Sequence, residues 1–135
     1  MAALIKMYGI AFAAFLVIDL VWLGFIAKNL YRKYLGFIMR PDPNWPVAIV
    51  FYLLYLAGLV FFVISPAVEK QSWKYALLSG MFFGLVTYAT YDLTNLATLK
   101  DWPPFITVTD LVWGTFLGGL VSLVTYLVVI KLGIA

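Results

Sequence analysis

The sequence contains no cysteine and no histidine, and few of its side chains are charged. Of its 135 residues, 11% are charged and 65% are hydrophobic, whereas average soluble domains have about 25% charged and about 45–50% apolar residues. The missing cysteine and histidine exclude a disulfide, a thiol nucleophile, an imidazole base, haem held by either residue, and the usual ligands of zinc, copper and iron–sulfur clusters. The composition predicts one small membrane domain without a cofactor.

Positive charge exceeds negative charge, and it lies outside the apolar runs. The net charge is +3, from nine Lys and Arg against six Asp and Glu. Basic residues at the ends of apolar segments typically contact lipid headgroups, and no cluster typical of nucleic-acid binding is present. We expect membrane lipids as partners and no nucleic acid.

Four apolar runs, residues 4–27, 47–64, 75–99 and 105–130, are each about long enough to cross a ~30 Å hydrocarbon core. Lys6 and the Ala11-Phe12-Ala13 segment resemble a signal peptide, but the first run is too long for one. Pro46 suits a first helical turn, and Ser65-Pro66 is expected to end the second span. The predicted fold is all-α, a four-helix transmembrane bundle with both termini on one side.

Between the first and second spans, the chain predicts a short amphipathic helix at the membrane interface. Apolar residues recur there at helical spacing while basic residues take the other faces: Leu30, Tyr34, Phe37 and Ile38 against Arg32, Lys33 and Arg40. Aromatic residues near the span ends are interpreted as interfacial anchors: Tyr31, Trp45, Trp73, Tyr75 and Trp102. Basic residues divide almost evenly between the two sides, so orientation, including dual topology, stays open.

Three acids, Asp19, Asp92 and Asp110, interrupt the apolar runs at one predicted depth. Counted along the helices, they lie about 13, about 12 and about 9 Å from the side that carries Lys28 and Lys100. Intramembrane carboxylates avoid lipid and are usually functional. We predict that all three face one bundle interior.

The neighbours of these acids extend the predicted ligand-binding site. Tyr88, Tyr91 and Asn95 accompany Asp92 at helical spacing. The Asp-Leu-Val-Trp segment occurs twice, so that Trp22 follows Asp19 and Trp113 follows Asp110 by three residues. The predicted site residues are therefore Asp19, Trp22, Tyr88, Tyr91, Asp92, Asn95, Asp110 and Trp113.

Simpler interpretations of these features remain open. Asp110 would also suit the first turn of its helix, with Thr107 or Thr109 as the cap. The repeated Asp-Leu-Val-Trp is either a trace of inverted repetition or a coincidence. The small-residue pairs Gly80/Gly84 and Gly114/Gly118 predict close helix packing and no ligand.

The chain resembles a family of small bacterial integral membrane proteins of unknown function, domain of unknown function 2177. The resemblance rests on Tyr-Asp-Leu-Thr-Asn at 91–95, Trp102-Pro103, Asp-Leu-Val-Trp-Gly at 110–114, and Asp19 with Trp22 upstream, and it covers essentially the whole chain. It implies a multi-pass fold in the bacterial inner membrane and an association with envelope lipid metabolism. It carries over no activity and no catalytic residues.

Two classes of function are consistent with these residues. In the first, the carboxylates bind a proton, a cation or a cationic small molecule, and transport through so thin a bundle would need a homodimer. In the second, the site receives a lipid, and the protein is a lipid-binding or accessory subunit in envelope lipid modification. Paired carboxylates can perform acid–base chemistry, but no recognisable catalytic motif accompanies them, so enzymatic activity stays open.

Overall fold

The computed structural model describes residues 1–134, which are helical almost throughout. The helices are α1 (Ala2–Val21, extended by a π-helical turn Trp22–Ile26), α2 (Lys28–Leu35), α3 (Trp45–Leu59, followed by a π-helical turn Val60–Ile64), α4 (Ser65–Lys70), α5 (Trp73–Thr98) and α6 (Pro104–Leu132). Residues 1–134 contain no strand. The predicted all-α class is confirmed.

Three helical segments are both long and apolar enough to cross a membrane. They are Ala2–Ile26, Trp45–Lys70 and Pro104–Leu132. Helix α5 has 26 residues, about 39 Å at 1.5 Å per residue, but its Ser, Thr, Tyr, Asp and Asn side chains make it more polar than the other three. The structure therefore supports three candidate spans, and the crossing of α5 stays a prediction.

The sequence suggested that the second span ends at Ser65-Pro66, but the helix continues past these residues. It continues through the π-helical turn into α4 and ends only at Lys70, where Gln71 takes a left-handed conformation with φ of 50°. Proline normally breaks a helix because its ring clashes with the carbonyl four residues earlier and it has no N–H to donate. A π-helical turn widens the backbone just before Pro66 and so accommodates the ring.

Two helix starts carry side-chain caps. The Asn44 side chain accepts a hydrogen bond from the Val47 amide at 3.4 Å, with Pro46 in the first turn of α3. The Ser72 hydroxyl accepts from the Tyr75 amide at 3.1 Å at the start of α5. These caps satisfy orphan N–H groups and fix where α3 and α5 begin.

Helices α5 and α6 contact each other backbone to backbone along a glycine seam, formed by Gly80 and Gly84 on α5 and Gly114 and Gly118 on α6. A methyl group added at Gly80 would lie 2.5 Å from the Gly118 carbonyl oxygen, and one added at Gly84 would collide with the Gly114 carbonyl. The prediction that these small-residue pairs allow close packing is confirmed, and the seam sets the register of the two helices.

Helix α2 is held against the start of α6 by a small apolar cluster. Leu35, Trp102 and Ile106 are buried together, and Tyr31 and Tyr34 pack against them. Phe37 and Ile38, expected on the apolar face of the amphipathic helix, lie beyond the end of α2 and are exposed. Part of the apolar face of α2 therefore contacts protein, so this face alone does not place the helix at the membrane interface. The interfacial position of α2 remains a prediction.

Candidate functional site

The glycine seam brings two of the three predicted acids together. Asp92 on α5 is 0% exposed and Asp110 on α6 is 6% exposed, and their carboxyl groups lie within hydrogen-bonding reach of each other. Neither carboxyl oxygen of Asp92 has a hydrogen-bond donor among residues 1–134. Two carboxylates are both acceptors, so a hydrogen bond between them requires one proton.

Asp110 accepts a hydrogen bond from a residue of α2, and it also lies next to Asp92 on α5. The Tyr31 hydroxyl donates to Oδ1 of Asp110 at 2.5 Å, and the indole Nε1 of Trp22 donates to the Tyr31 oxygen at 3.4 Å. Burial, and then the hydrogen bond to Asp110, raise the pKa of Tyr31 above the ordinary tyrosine value. Tyr31 therefore stays protonated, as its donor role requires.

The two Asp-Leu-Val-Trp segments meet through their tryptophans. The rings of Trp22 and Trp113 stack with centroids 4.3 Å apart and an interplanar angle of 8°. The stack brings Trp22 beside α6, where its N–H reaches Tyr31. Trp22 and Trp113 thus hold the donor chain to Asp110 in place, and their contact does not decide whether the segment is a true repeat.

Asp19 occupies a different environment from the other two acids. It is half-buried on α1, and no hydrogen bond joins it to Asp92 or Asp110 in the described part of the chain. It follows Phe15 by one helical turn, and the Phe15 ring contacts Tyr52 and Tyr55 with centroids 5.3 and 5.8 Å apart. Residues 1–134 contain no group of three or more acidic side chains placed to hold a metal ion.

The polar stripe predicted on α5 divides between the interior and the surface. Tyr88 packs its ring against Gly114 and lies within electrostatic range of both Asp19 and Asp110. Tyr91 is 56% exposed, lies within hydrogen-bonding reach of Asn95, and meets Trp102 edge-on with centroids 5.8 Å apart. Tyr88 is therefore the member of the stripe that lies between the two acid environments.

An apolar groove lies beside this stripe, between α3 and α5. It has a volume of about 370 Å³ and is lined by Phe51, Thr87, Tyr88 and Tyr91. The Thr87 hydroxyl donates to the carbonyl of Phe83 in its own helix at 2.8 Å. With this hydroxyl occupied, the groove presents mainly aromatic carbon to whatever enters it.

The alternative that Asp110 lies in the first turn of its helix, with Thr107 or Thr109 as the cap, is wrong. Helix α6 starts at Pro104 and has no acid in its first turn and no side-chain cap, so Asp110 lies in the second turn. The Thr107 hydroxyl, one proposed cap, accepts a hydrogen bond from Nε1 of Trp102 at 3.1 Å. Asp110 thus faces Asp92 and Tyr31 and is not tied to the backbone of its own helix.

Two residues of the site, Tyr31 and Trp102, were expected to be interfacial anchors. Tyr31 donates a hydrogen bond to Asp110, which lies 79 positions later in the chain. Trp102 donates a hydrogen bond to Thr107 and so ties the loop between α5 and α6 to the start of α6. The signal was present in the apolar face of α2, where Leu30, Tyr31 and Tyr34 cluster, but amphipathic spacing alone does not identify the partner of that face.

The fold and the buried polar groups together define a helical membrane protein, and comparison with known families gives its relationship. The chain matches the model of a family described as "Predicted membrane protein (DUF2177)" over residues 4–127. It belongs to this family, and the resemblance based on the Tyr-Asp-Leu-Thr-Asn motif is confirmed. No curated protein and no solved structure matches the chain.

Proposed function

We propose that this chain is a bacterial inner-membrane protein in which Asp92 and Asp110 share one dissociable proton, and that this site serves transport of a proton or a small cation. The observation that carries the proposal is the fully buried Asp92, whose two oxygens lack a donor while Asp110 lies beside it. Two unit negative charges about 4 Å apart in a protein with an effective dielectric constant of about 20 repel by about 4 kcal/mol. One shared proton removes this repulsion and supplies the missing hydrogen bond.

The proposal includes the position of the protein in the bilayer. Helix α5 would be a fourth span, because it is packed along its glycine face against α6, a candidate span of similar length. Its polar residues Asp92 and Tyr88 would then face protein, so they would not be exposed to lipid. Helix α2 would lie at the interface on the side of Lys28 and Lys100, with Tyr31 covering the acid pair from that side.

Transport through this site requires access to water from both sides. Four helices with a seam as tight as that of α5 and α6 leave little room for a pore, so we propose a homodimer as the transporting unit. In this arrangement the proton is released when Tyr31 and Asp110 separate, because that step opens the pair toward the headgroup region.

A second candidate function, lipid binding in an accessory role, is favoured by one observation. The groove lined by Phe51, Thr87, Tyr88 and Tyr91 is apolar and suits an alkyl chain. Bound alkyl chain without any proton uptake at the acid pair would favour this function over transport.

Proton binding is tested by infrared spectroscopy of the purified protein in lipid nanodiscs during a pH titration. A protonated carboxyl group has a C=O band that the carboxylate lacks, so wild type should show a titrating band of the shared proton that is missing in Asp92→Asn and in Asp110→Asn, while the bands of the other carboxyl groups, such as that of Asp19, remain. Asp101→Asn, which alters an exposed loop acid, should keep the band, and Trp73→Phe should leave it unchanged.

An unchanged band in both Asp92→Asn and Asp110→Asn would remove the pair from the mechanism. Proteoliposomes carrying a pH-sensitive dye test the transport step separately. Wild type should dissipate an imposed pH gradient faster than Asp92→Asn does. Equal rates with the titrating band present would contradict transport and leave proton binding in place.

A further inference from the structure

A second acid site lies around Asp19, apart from the Asp92–Asp110 pair. Lys6, the basic residue on its own helix, is about 20 Å away along the axis, and Lys28, which begins α2, follows Asp19 by nine residues. No hydrogen bond to Asp19 is present among residues 1–134. A half-buried carboxylate in an apolar helix without a cationic partner is expensive, and such residues usually bind something.

The surroundings of Asp19 are aromatic. Phe15, one helical turn before it, contacts Tyr52 and Tyr55 with ring centroids 5.3 and 5.8 Å apart. Tyr55 also contacts Phe83 on α5 at 5.6 Å. The rings from α1, α3 and α5 therefore form an aromatic wall about one helical turn from Asp19.

One polar atom in this wall has no partner. Tyr55 is 4% exposed, and its hydroxyl makes no hydrogen bond within the described chain. The contact with Phe15 holds the Tyr55 ring about one helical turn from Asp19. A buried hydroxyl without a partner is uncommon and calls for an explanation, which a bound polar group would supply.

The chemistry of this cluster selects a cation. A carboxylate attracts positive charge, and the faces of tyrosine and phenylalanine rings carry negative potential that attracts ammonium groups, above all quaternary ones. Phe51, which lines the groove together with Thr87, Tyr88 and Tyr91, contacts Tyr52 and Tyr55 with ring centroids 5.9 and 6.0 Å apart. A ligand that reaches Asp19 past these rings would thus have an apolar channel for its hydrophobic part.

We propose that Asp19, Tyr55 and Tyr88 form a second binding site, which takes the ammonium group of an amphiphilic cation whose alkyl chain lies in the groove between α3 and α5. The site is separate from the acid pair, and it does not depend on proton binding there. The occupant is a single-chain cation, because the groove of about 370 Å³ matches the small-ligand range of roughly 300–1,000 Å³.

The test uses dodecylammonium, whose N–H groups can donate to the Tyr55 hydroxyl oxygen, and dodecanol, which has the same chain without charge. Each is titrated into the protein in phosphatidylcholine nanodiscs, and the unfolding temperature is followed against ligand concentration. The ammonium compound should stabilise wild type saturably, and dodecanol should do so far less. Loss of the charge-assisted contact in Asp19→Asn should weaken binding about tenfold or more.

Three variants serve as controls. Asp19→Glu keeps the charge and should retain binding, which separates loss of the ligand from loss of the fold. Asp42→Asn changes an exposed acid and should bind as wild type does. Asp92→Asn should also keep its affinity, since it alters only the acid pair.

The proposal is overturned by any of three results. Binding by Asp19→Asn equal to that of wild type would remove the acid from the site, and equal binding of dodecanol would show that charge has no role. Loss of binding in Asp92→Asn with full binding in Asp19→Asn would place the cation at the pair. That last outcome would refute the second site while supporting cation binding in the proposed function.

Discussion

The α5–α6 half of the molecule and the α1–α3 half each hold an acid among apolar side chains, but they pack by different means. Along the seam of α5 and α6, glycines bring two backbones into contact and place Asp92 against Asp110. Between α1 and α3, rings such as Phe15, Tyr52 and Tyr55 separate the helices. The groove described above lies between α3 and α5, where rings such as Tyr55 and Phe83 are in contact and the backbones are not.

The difference in packing underlies the two proposals made above. At the seam the two carboxyl groups lie within hydrogen-bonding reach of each other, a spacing that suits the proposed proton or small ion. The aromatic residues near Asp19 adjoin, through Phe51, a groove of about 370 Å³, which suits the larger cation proposed there. Helices that supply acids of similar depth can therefore build sites of different selectivity through the residues that space them.

The largest effect should come from filling the seam. Gly84→Leu places a side chain where even a methyl group would meet the backbone of Gly114 and Gly118. The helices must then separate, and overpacking of this kind costs about 3 kcal/mol or more, since backbone cannot move aside as a side chain does. We expect a strongly lowered unfolding temperature in nanodiscs.

Gly9→Leu is the matched control for this change. Gly9 is exposed on α1, and an added Cβ there would meet nothing within 4 Å. It should unfold within a few degrees of wild type. A similar loss in both variants would show that the seam has no special role, and the contrast between the two halves would fail.

Much of this contrast could be predicted from the sequence, because it depends on spacing within single helices. Gly80/Gly84 and Gly114/Gly118 indicated close packing, and the position of Asp92 and Asp110 along their helices indicated a common depth. Spacing does not give the rotation of one helix against another. For that reason the sequence did not show that Asp92 meets Asp110 while Asp19 faces tyrosines.

Two further features of the structure could not be predicted from the sequence, for a different physical reason. The hydrogen bond from Tyr31 to Asp110 joins residues far apart in the chain, and no local pattern encodes such a contact. The continuation of the helix past Pro66 depends on a π-helical turn, whereas the usual proline rule assumes regular α-helical geometry.

An intermediate loss of stability is expected from Tyr31→Phe. This variant changes the hydrogen bonding of the acid pair at the seam and leaves the packing of the glycines unchanged. The variant keeps the ring but removes the donor to Asp110, so the acid pair loses the hydrogen bond from α2. Hydrogen bonds to charged groups contribute about 1.5–3 kcal/mol, and equilibrium unfolding should show a loss of that size.

Tyr34→Phe provides the comparison for Tyr31→Phe on the same helix. The Tyr34 ring contacts Phe105 with centroids 4.9 Å apart, and this contact survives the substitution. Its unfolding free energy should stay within about 0.5 kcal/mol of wild type, as for surface substitutions. If the two variants lose equal stability, the bond from Tyr31 to Asp110 does not hold α2 to the site.

The smallest change in stability is expected from Ser122→Ala. This variant tests whether an unpartnered polar group at the seam contributes to stability. Ser122 is fully buried on α6 opposite Gly80, and its hydroxyl has no partner among residues 1–134. Removing a buried hydroxyl that makes no hydrogen bond removes its desolvation cost, while the Cβ that packs near Gly80 is retained. The free energy of unfolding should therefore stay unchanged or rise by up to about 1 kcal/mol. A clear loss of stability in equilibrium unfolding would mean that the hydroxyl has a partner in the membrane, such as a bound water, and that the seam holds more than the proton we assign to it.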